Sequence, residues 1–219
     1  MTPGGAWLGA ALALPFAMLL GCLSPKLRAS IARGLFIAPV PALCAALFAP
    51  HASLGLPPML LGIRLLLDIP GALLLGATSL LWIGAGWYAA GWLRDHPDPG
   101  RFTVWWLLTL AGSIGVFMAA DLVGFYLMFT LVSLAAYGLI IDDSTLQARR
   151  IGLIYVAFAI LGEAFLLLAF VMLAVAAPGG HAVIRDLVAA LPVSPWRNAT
   201  LVLLVLGFGV KLGLVPFQS

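Results

Sequence analysis

Long apolar runs, cut by short polar connections, set the pattern of this chain. A helix needs about 20 apolar residues to cross a hydrocarbon core of roughly 30 Å. Seven stretches approach or reach that length: 6–23, 34–50, 71–93, 102–120, 122–141, 151–176 and 199–219. Pro15 predicts a kink in the first, and Pro39 with Pro41 predict an irregular second. Asp68 and Pro70 are a start signal for the third: a side-chain cap, then a preset backbone angle in the first turn. Asp121 almost alone separates the fourth from the fifth and can cap the latter. Between the sixth and seventh, residues 181–191 alternate as an amphipathic segment expected to lie along the surface. The expected fold is all-α, a polytopic transmembrane helical bundle of about seven spans.

Composition sharpens this. The chain is 63% hydrophobic and 9% charged, whereas soluble domains carry about a quarter charged residues. No water-soluble domain fits between the spans. A net charge of +3 is too small to imply a nucleic-acid partner. Cys22 and Cys44 fall singly in apolar runs and read as small hydrophobes. His51, His96 and His181 lie in polar or Pro/Gly-rich connections without metal-ligand spacing, so neither a metal site nor a cofactor is expected. No basic segment precedes the first run, which reads as a retained span rather than a cleaved signal peptide.

Charge also orients the chain. Loops 1–2, 3–4 and 5–6 hold seven positive residues: Lys26, Arg28, Arg33, Arg94, Arg101, Arg149 and Arg150. The opposite side holds three, Arg64, Arg185 and Arg197. The excess of Lys and Arg predicts that odd-numbered loops face the cytoplasm and the N-terminus lies outside, in a multi-pass protein of the inner (plasma) membrane.

Two ionisable residues fall deep within spans, Glu163 and Lys211. A lysine at membrane depth costs about 2.5–3.5 kcal/mol on insertion scales. Gly207, Gly209 and Gly213 surround Lys211, and Pro216 removes a backbone donor from the same span. Broken backbone is tolerated in a bilayer only where protein or a wet cavity covers it. Lysine plus helix break, at Gly213 and Pro216, suggests an ion path. The residues alone fit equally a lysine near a helix end, snorkelling to the interface. Glu163 fits either charge transfer with Lys211 or a protonated carboxyl bonded to a neighbouring helix. The remaining candidates have plain explanations. Trp82, Trp87, Trp92, Trp105 and Trp106 include interface anchors, and Asp142 and Asp143 beside Arg149 and Arg150 read as a solvated loop. The sequon at Asn198 lies too close to the last span to be used, and the Gly209–Gly213 spacing is common in membrane helices. No nucleophile–base constellation or cofactor motif occurs, so no catalytic residue is expected.

The stretch from Asp121 through Phe125, Tyr126, Ser133 and Tyr137 to Ile140 resembles the fifth-helix motif of the antiporter-like proton-translocating family. That family comprises the large membrane subunits of respiratory complex I, the multisubunit cation/proton antiporters and the membrane-bound hydrogenases. Gly162 with Glu163 resembles an acidic position on the family's sixth helix. Lys211 through Pro216 to Ser219 is similar to its lysine-bearing broken seventh helix. The resemblance implies three N-terminal helices in residues 1–101 and an incomplete first repeat, helices four to seven, in residues 102–219. It implies proton transfer at Lys211, biased by Glu163, with hydroxyls from Thr130 and Tyr137. Partners would be other membrane subunits, the lipid bilayer and protons, with Na⁺ or K⁺ left open. Two departures stand out. The family's fifth-helix glutamate falls on Thr130, which cannot carry charge, so a non-conducting structural or assembly subunit is the alternative. The chain also stops at Ser219, inside the motif, which implies a truncated or split subunit.

Overall fold

The computed structural model describes residues 3–55, 62–94, 98–142, 145–176 and 183–212. It is built of helices with one small hairpin. In chain order these are α1 (Pro3–Gly21), α2 (Pro25–Arg33), a 3-10 turn (Leu35–Ile37), α3 (Val40–Phe48), β1 (Ser53–Gly55), β2 (Arg64–Leu66) and α4 (Ile69–Trp92). There follow α5 (Pro99–Met118), α6 (Leu122–Ile140), α7 (Leu146–Ala176), α8 (Ile184–Ala190), a 3-10 turn (Leu191–Val193) and α9 (Arg197–Leu212).

Five described helices, α1, α4, α5, α6 and α7, are long and apolar enough to cross a membrane. The pair α2/α3 makes a sixth if its two pieces, bent by 65°, form one span. The described part of α9 has 16 residues. The second run therefore begins earlier than the apolar pattern suggested. Lys26, Arg28 and Arg33 sit on a helix, not a loop, because α2 turns its charges outward while Ala32 is buried. Pro15 lies inside a continuous α1. The third and fifth runs start as expected: Asp68 accepts from Gly71 N at 2.8 Å and Asp121 from Gly124 N at 2.7 Å.

The loops sort to two ends of the helices. At one end the hairpin pairs Ser53 with Leu66 and Gly55 with Arg64. Leu65 bridges to Ala119, and Asp121 bridges to Val183 just before α8. Backbone bonds run across this end from Ala120 N to Arg64 O and from Ile184 N to Ala120 O, each 2.9 Å. Asp121 also accepts from Arg64 N at 2.8 Å, so one carboxylate caps α6 and ties the hairpin to it. At the other end Arg28 Nε donates to Cys22 O, and Arg101 Nε pairs with Asp142 Oδ1 at 3.0 Å. Asp142 is thus no solvated loop residue: it is buried, with its partner 41 positions away. Asp143 lies outside the described residues.

Two apolar clusters fill the interior. The larger joins α1 to α5 and includes Cys22 and Trp106; the smaller joins α6, α7 and α8, with partly buried residues of α9 against it. Trp106 stacks edge-on against Trp82 at 4.9 Å and is a core residue, not an interface anchor. The fourth run, α5, turns its other face to α6. Gly112 lets the two backbones approach, since a Cβ there would lie 2.9 Å from Met128 O.

Candidate functional site

A buried polar group is assembled from three helices. Glu163 sits near the middle of α7, Lys211 in the last turn of α9 and Ser133 in the second half of α6. Lys211 Nζ donates to Glu163 Oε1 at 3.2 Å and also to Ser133 Oγ. Ser133 Oγ in turn donates to Phe129 O at 3.0 Å, so the hydroxyl is held on both sides. The ammonium lies 5.1 Å from the centre of the Phe129 ring, within cation–π range. The Lys211 and Glu163 side chains are only 18% and 10% exposed. A buried charge is tolerated when paired and hydrogen-bonded, and this one is both. Snorkelling does not describe it: the ammonium points into the bundle.

Glycines create the meeting point. A Cβ on Gly207 would stand 2.6 Å from Leu166 Cγ and 3.0 Å from Gly162 O, and one on Gly162 would stand 3.1 Å from Gly207 O. Small residues at a helix crossing let backbones touch. Gly207 is one turn before Lys211 and Gly162 adjoins Glu163, so the closest approach of α7 and α9 carries the ion pair. Gly207→Val is expected to cost about 1–3 kcal/mol through overpacking against Leu166, read as a lower thermal midpoint in detergent. An unchanged midpoint would mean that α9 can slide away from α7.

Aromatic rings close one side of the pair. Phe125 packs on Phe170 at 5.8 Å and on Phe208 at 6.4 Å, and Phe129 packs on Phe208 at 5.8 Å. These rings fill the space between the pair and the hairpin end. Toward the opposite end lies Tyr137, one turn beyond Ser133. Its ring rests against Gly152 of α7, where a Cβ would come within 2.9 Å of Cε2. Thr130 Oγ1 is buried and has no hydrogen-bond partner among the described residues. Of the residues expected to act together, Lys211 and Glu163 meet, while no hydrogen bond joins Thr130 or Tyr137 to them among the described residues. Ser133 belongs to the fifth-helix motif but is given no role by the sequence pattern, although it lies three positions after Thr130 on one face of the same helix. Gly213 and Pro216, the expected helix break, lie outside the described residues.

Residues 119–219 match the family described as NADH:quinone oxidoreductase/Mrp antiporter, TM. The chain is also 32% identical over 171 residues to a probable K(+)/H(+) antiporter subunit of Rhizobium meliloti (strain 1021), covering 76% of this chain and 31% of that protein. Residues 119–219 belong to the antiporter-like family. Over 169 residues it is 32% identical to an NADH-quinone oxidoreductase subunit of Desulforudis audaxviator (strain MP104C), covering 72% and 32% respectively. The antiporter-like chain therefore spans about a third of the length of these curated relatives. Its fold is that of a chain in the Mrp complex from a Dietzia species, with a TM-score of 0.73 at 20% identity, over 100% of this chain and 42% of that one. A chain of the archaeal membrane-bound sulfane sulfur reductase gives 0.71 at 18% identity, over 96% and 46%.

Proposed function

We propose that this antiporter-like chain carries protons through a multi-subunit membrane complex of the complex I-like or cation/proton antiporter type, with Lys211 as the group that takes up and releases the proton. The observation that carries this reading is the buried contact of Lys211 with Glu163 and Ser133. A nearby charge change alters how tightly the lysine holds its proton, at about 1.4 kcal/mol per pKa unit. Glu163 supplies the bias from α7, Ser133 fixes the ammonium from α6, and residues 102–219 form the translocating portion after three N-terminal crossings. The aromatic rings on the hairpin side favour proton access from the other end, past Tyr137. Any redox energy comes from partner subunits.

Lys211→Arg tests the chemistry. A guanidinium keeps the positive charge but does not deprotonate in proteins. Proton pumping by the assembled complex in inverted vesicles should fall to background while the altered chain still assembles. Pumping near the wild-type rate would rule out Lys211 as the proton carrier. The second reading is a subunit that assembles without conducting, favoured by the neutral Thr130 at the family's acidic position; it requires Lys211 and Glu163 variants to pump normally.

The same reading places seven crossings in the membrane, with α2 and α3 as one bent span and α9 as the last. Segregation of the loops supports it: the described connections before and after α6 lie at opposite ends, with the hairpin and the start of α8 at one and Arg101–Asp142 at the other. With Cys22 and Cys44 replaced, single cysteines at positions 96 and 147 should be labelled only from the cytoplasm, and one at 185 only from outside. Labelling of 96 or 147 from outside would reverse the orientation.

A further inference from the structure

We propose that a groove between the ends of α2 and α4 binds the phosphodiester headgroup of an anionic phospholipid. The groove does not touch the Lys211 site and the proposal does not depend on proton transfer. Arg33, Phe36, Trp87, Ala90, Gly91 and Arg94 line a depression of about 250 Å³. A second of about 250 Å³ adjoins it, sharing Arg33, Ala90 and Arg94 and running on to Pro99. Neither arginine has a carboxylate partner among the described residues; the ion pairs there use Arg101, Arg185 and Lys211. Arg33 uses Nε to reach Ala29 O at 3.0 Å, leaving the rest of its guanidinium fork open. Two like charges facing one groove repel, and an anion between them removes that repulsion. Guanidinium forks match phosphate oxygens in pairs.

The shape beneath the arginines selects a lipid over free phosphate. Leu73, Leu80 and Trp87 recur every seven residues, so they stack along one side of α4, and Arg94 follows in the turn just past its end. Leu73, Leu80 and Trp87 are all widely exposed. From Leu73 to Trp87 the helix rises about 21 Å, more than the roughly 15 Å of one leaflet's hydrocarbon. The stripe is apolar for the length of an acyl chain and ends at a guanidinium. Trp87, held tilted against Phe36 at 5.3 Å, marks the headgroup level between them.

The test is native mass spectrometry of the full chain in mild detergent, with phosphatidylglycerol competing against phosphatidylcholine. Arginines near a lipid surface each strengthen anionic-lipid binding by about fivefold. The double variant Arg33→Gln/Arg94→Gln should thus lose on the order of 25-fold in preference for phosphatidylglycerol, and Arg33→Lys/Arg94→Lys, which keeps the charge but not the fork, should lose less. Brominated phosphatidylglycerol should quench wild-type tryptophan emission more than that of Trp87→Phe. The charge-matched control Arg149→Gln/Arg150→Gln should keep the wild-type preference. An equal loss in that control, an undiminished preference in the Gln double variant, or displacement of the lipid by inorganic phosphate alone would each overturn the proposal.

Discussion

Lys211→Ala and Glu163→Ala should each abolish proton translocation by the assembled complex, and the double variant should do little further harm. Groups that act as one unit are strongly non-additive, and the 3.2 Å contact between them makes Lys211 and Glu163 such a unit. Stability offers a second readout. Breaking a buried pair by removing one partner costs about 3–5 kcal/mol, because the other charge is left uncompensated. Each single variant should therefore melt well below wild type, while the double variant, which buries no charge at this place, should recover part of the loss. Pumping at the wild-type rate in either single variant would end the proposal for the site. Additive melting losses would show that the two charges do not feel each other.

Thr130→Glu should return pumping to a chain that carries Glu163→Ala. Thr130 lies on the face of α6 that already delivers Ser133 to the ammonium. Its hydroxyl oxygen is buried without a partner among the described residues, so a polar replacement there displaces no existing bond. A carboxylate supplied from α6 would then stand in for the one removed from α7. We expect at least about a tenfold gain over Glu163→Ala alone, which requires only about 1.4 kcal/mol of regained interaction. In the wild-type background Thr130→Glu should leave pumping largely intact. If the rescue fails and the wild-type background also loses activity, the site has been rebuilt around a neutral residue.

The ion pair is legible in the sequence because a lysine and a glutamate amid long apolar runs are costly unless used. Its third member is not. Ser133 is a small hydroxyl residue of a kind that helices commonly turn back on their own carbonyls, and it does so here toward Phe129 while also meeting Lys211. Its place in the fifth-helix motif assigns it no role, and the three-residue interval from Thr130 is what hints that it faces the same way. Asp142 misleads for a related reason. Its sequence neighbours Arg149 and Arg150 suggest local charge balance, whereas its partner Arg101 arrives from the start of another helix. The hairpin strands have three residues each, too few for alternation to register, and they persist because residues 119–121 extend their ladder. Helix starts are easier: Asp68 and Asp121 act within three residues of themselves, so their caps can be read locally.

The two ends of the helices are fastened by different forces, and this gives the antiporter-like chain an unequal response to ionic strength. At the hairpin end the ties are mainly neutral backbone bonds plus a carboxylate accepting backbone N–H groups, which salt hardly weakens, and the exposed Arg185–Asp68 pair at 3.8 Å adds little to them. At the opposite end a main tie is the Arg101–Asp142 pair, and Arg101 is 42% exposed, so mobile ions reach it. Raising salt should loosen α5 from the end of α6 there while the hairpin end stays closed. Amide hydrogen exchange would then speed up around residues 99–103 and 138–142 and stay slow at 64–67 and 119–121, so that the bundle behaves like tongs, firm at the pivot and adjustable at the grip.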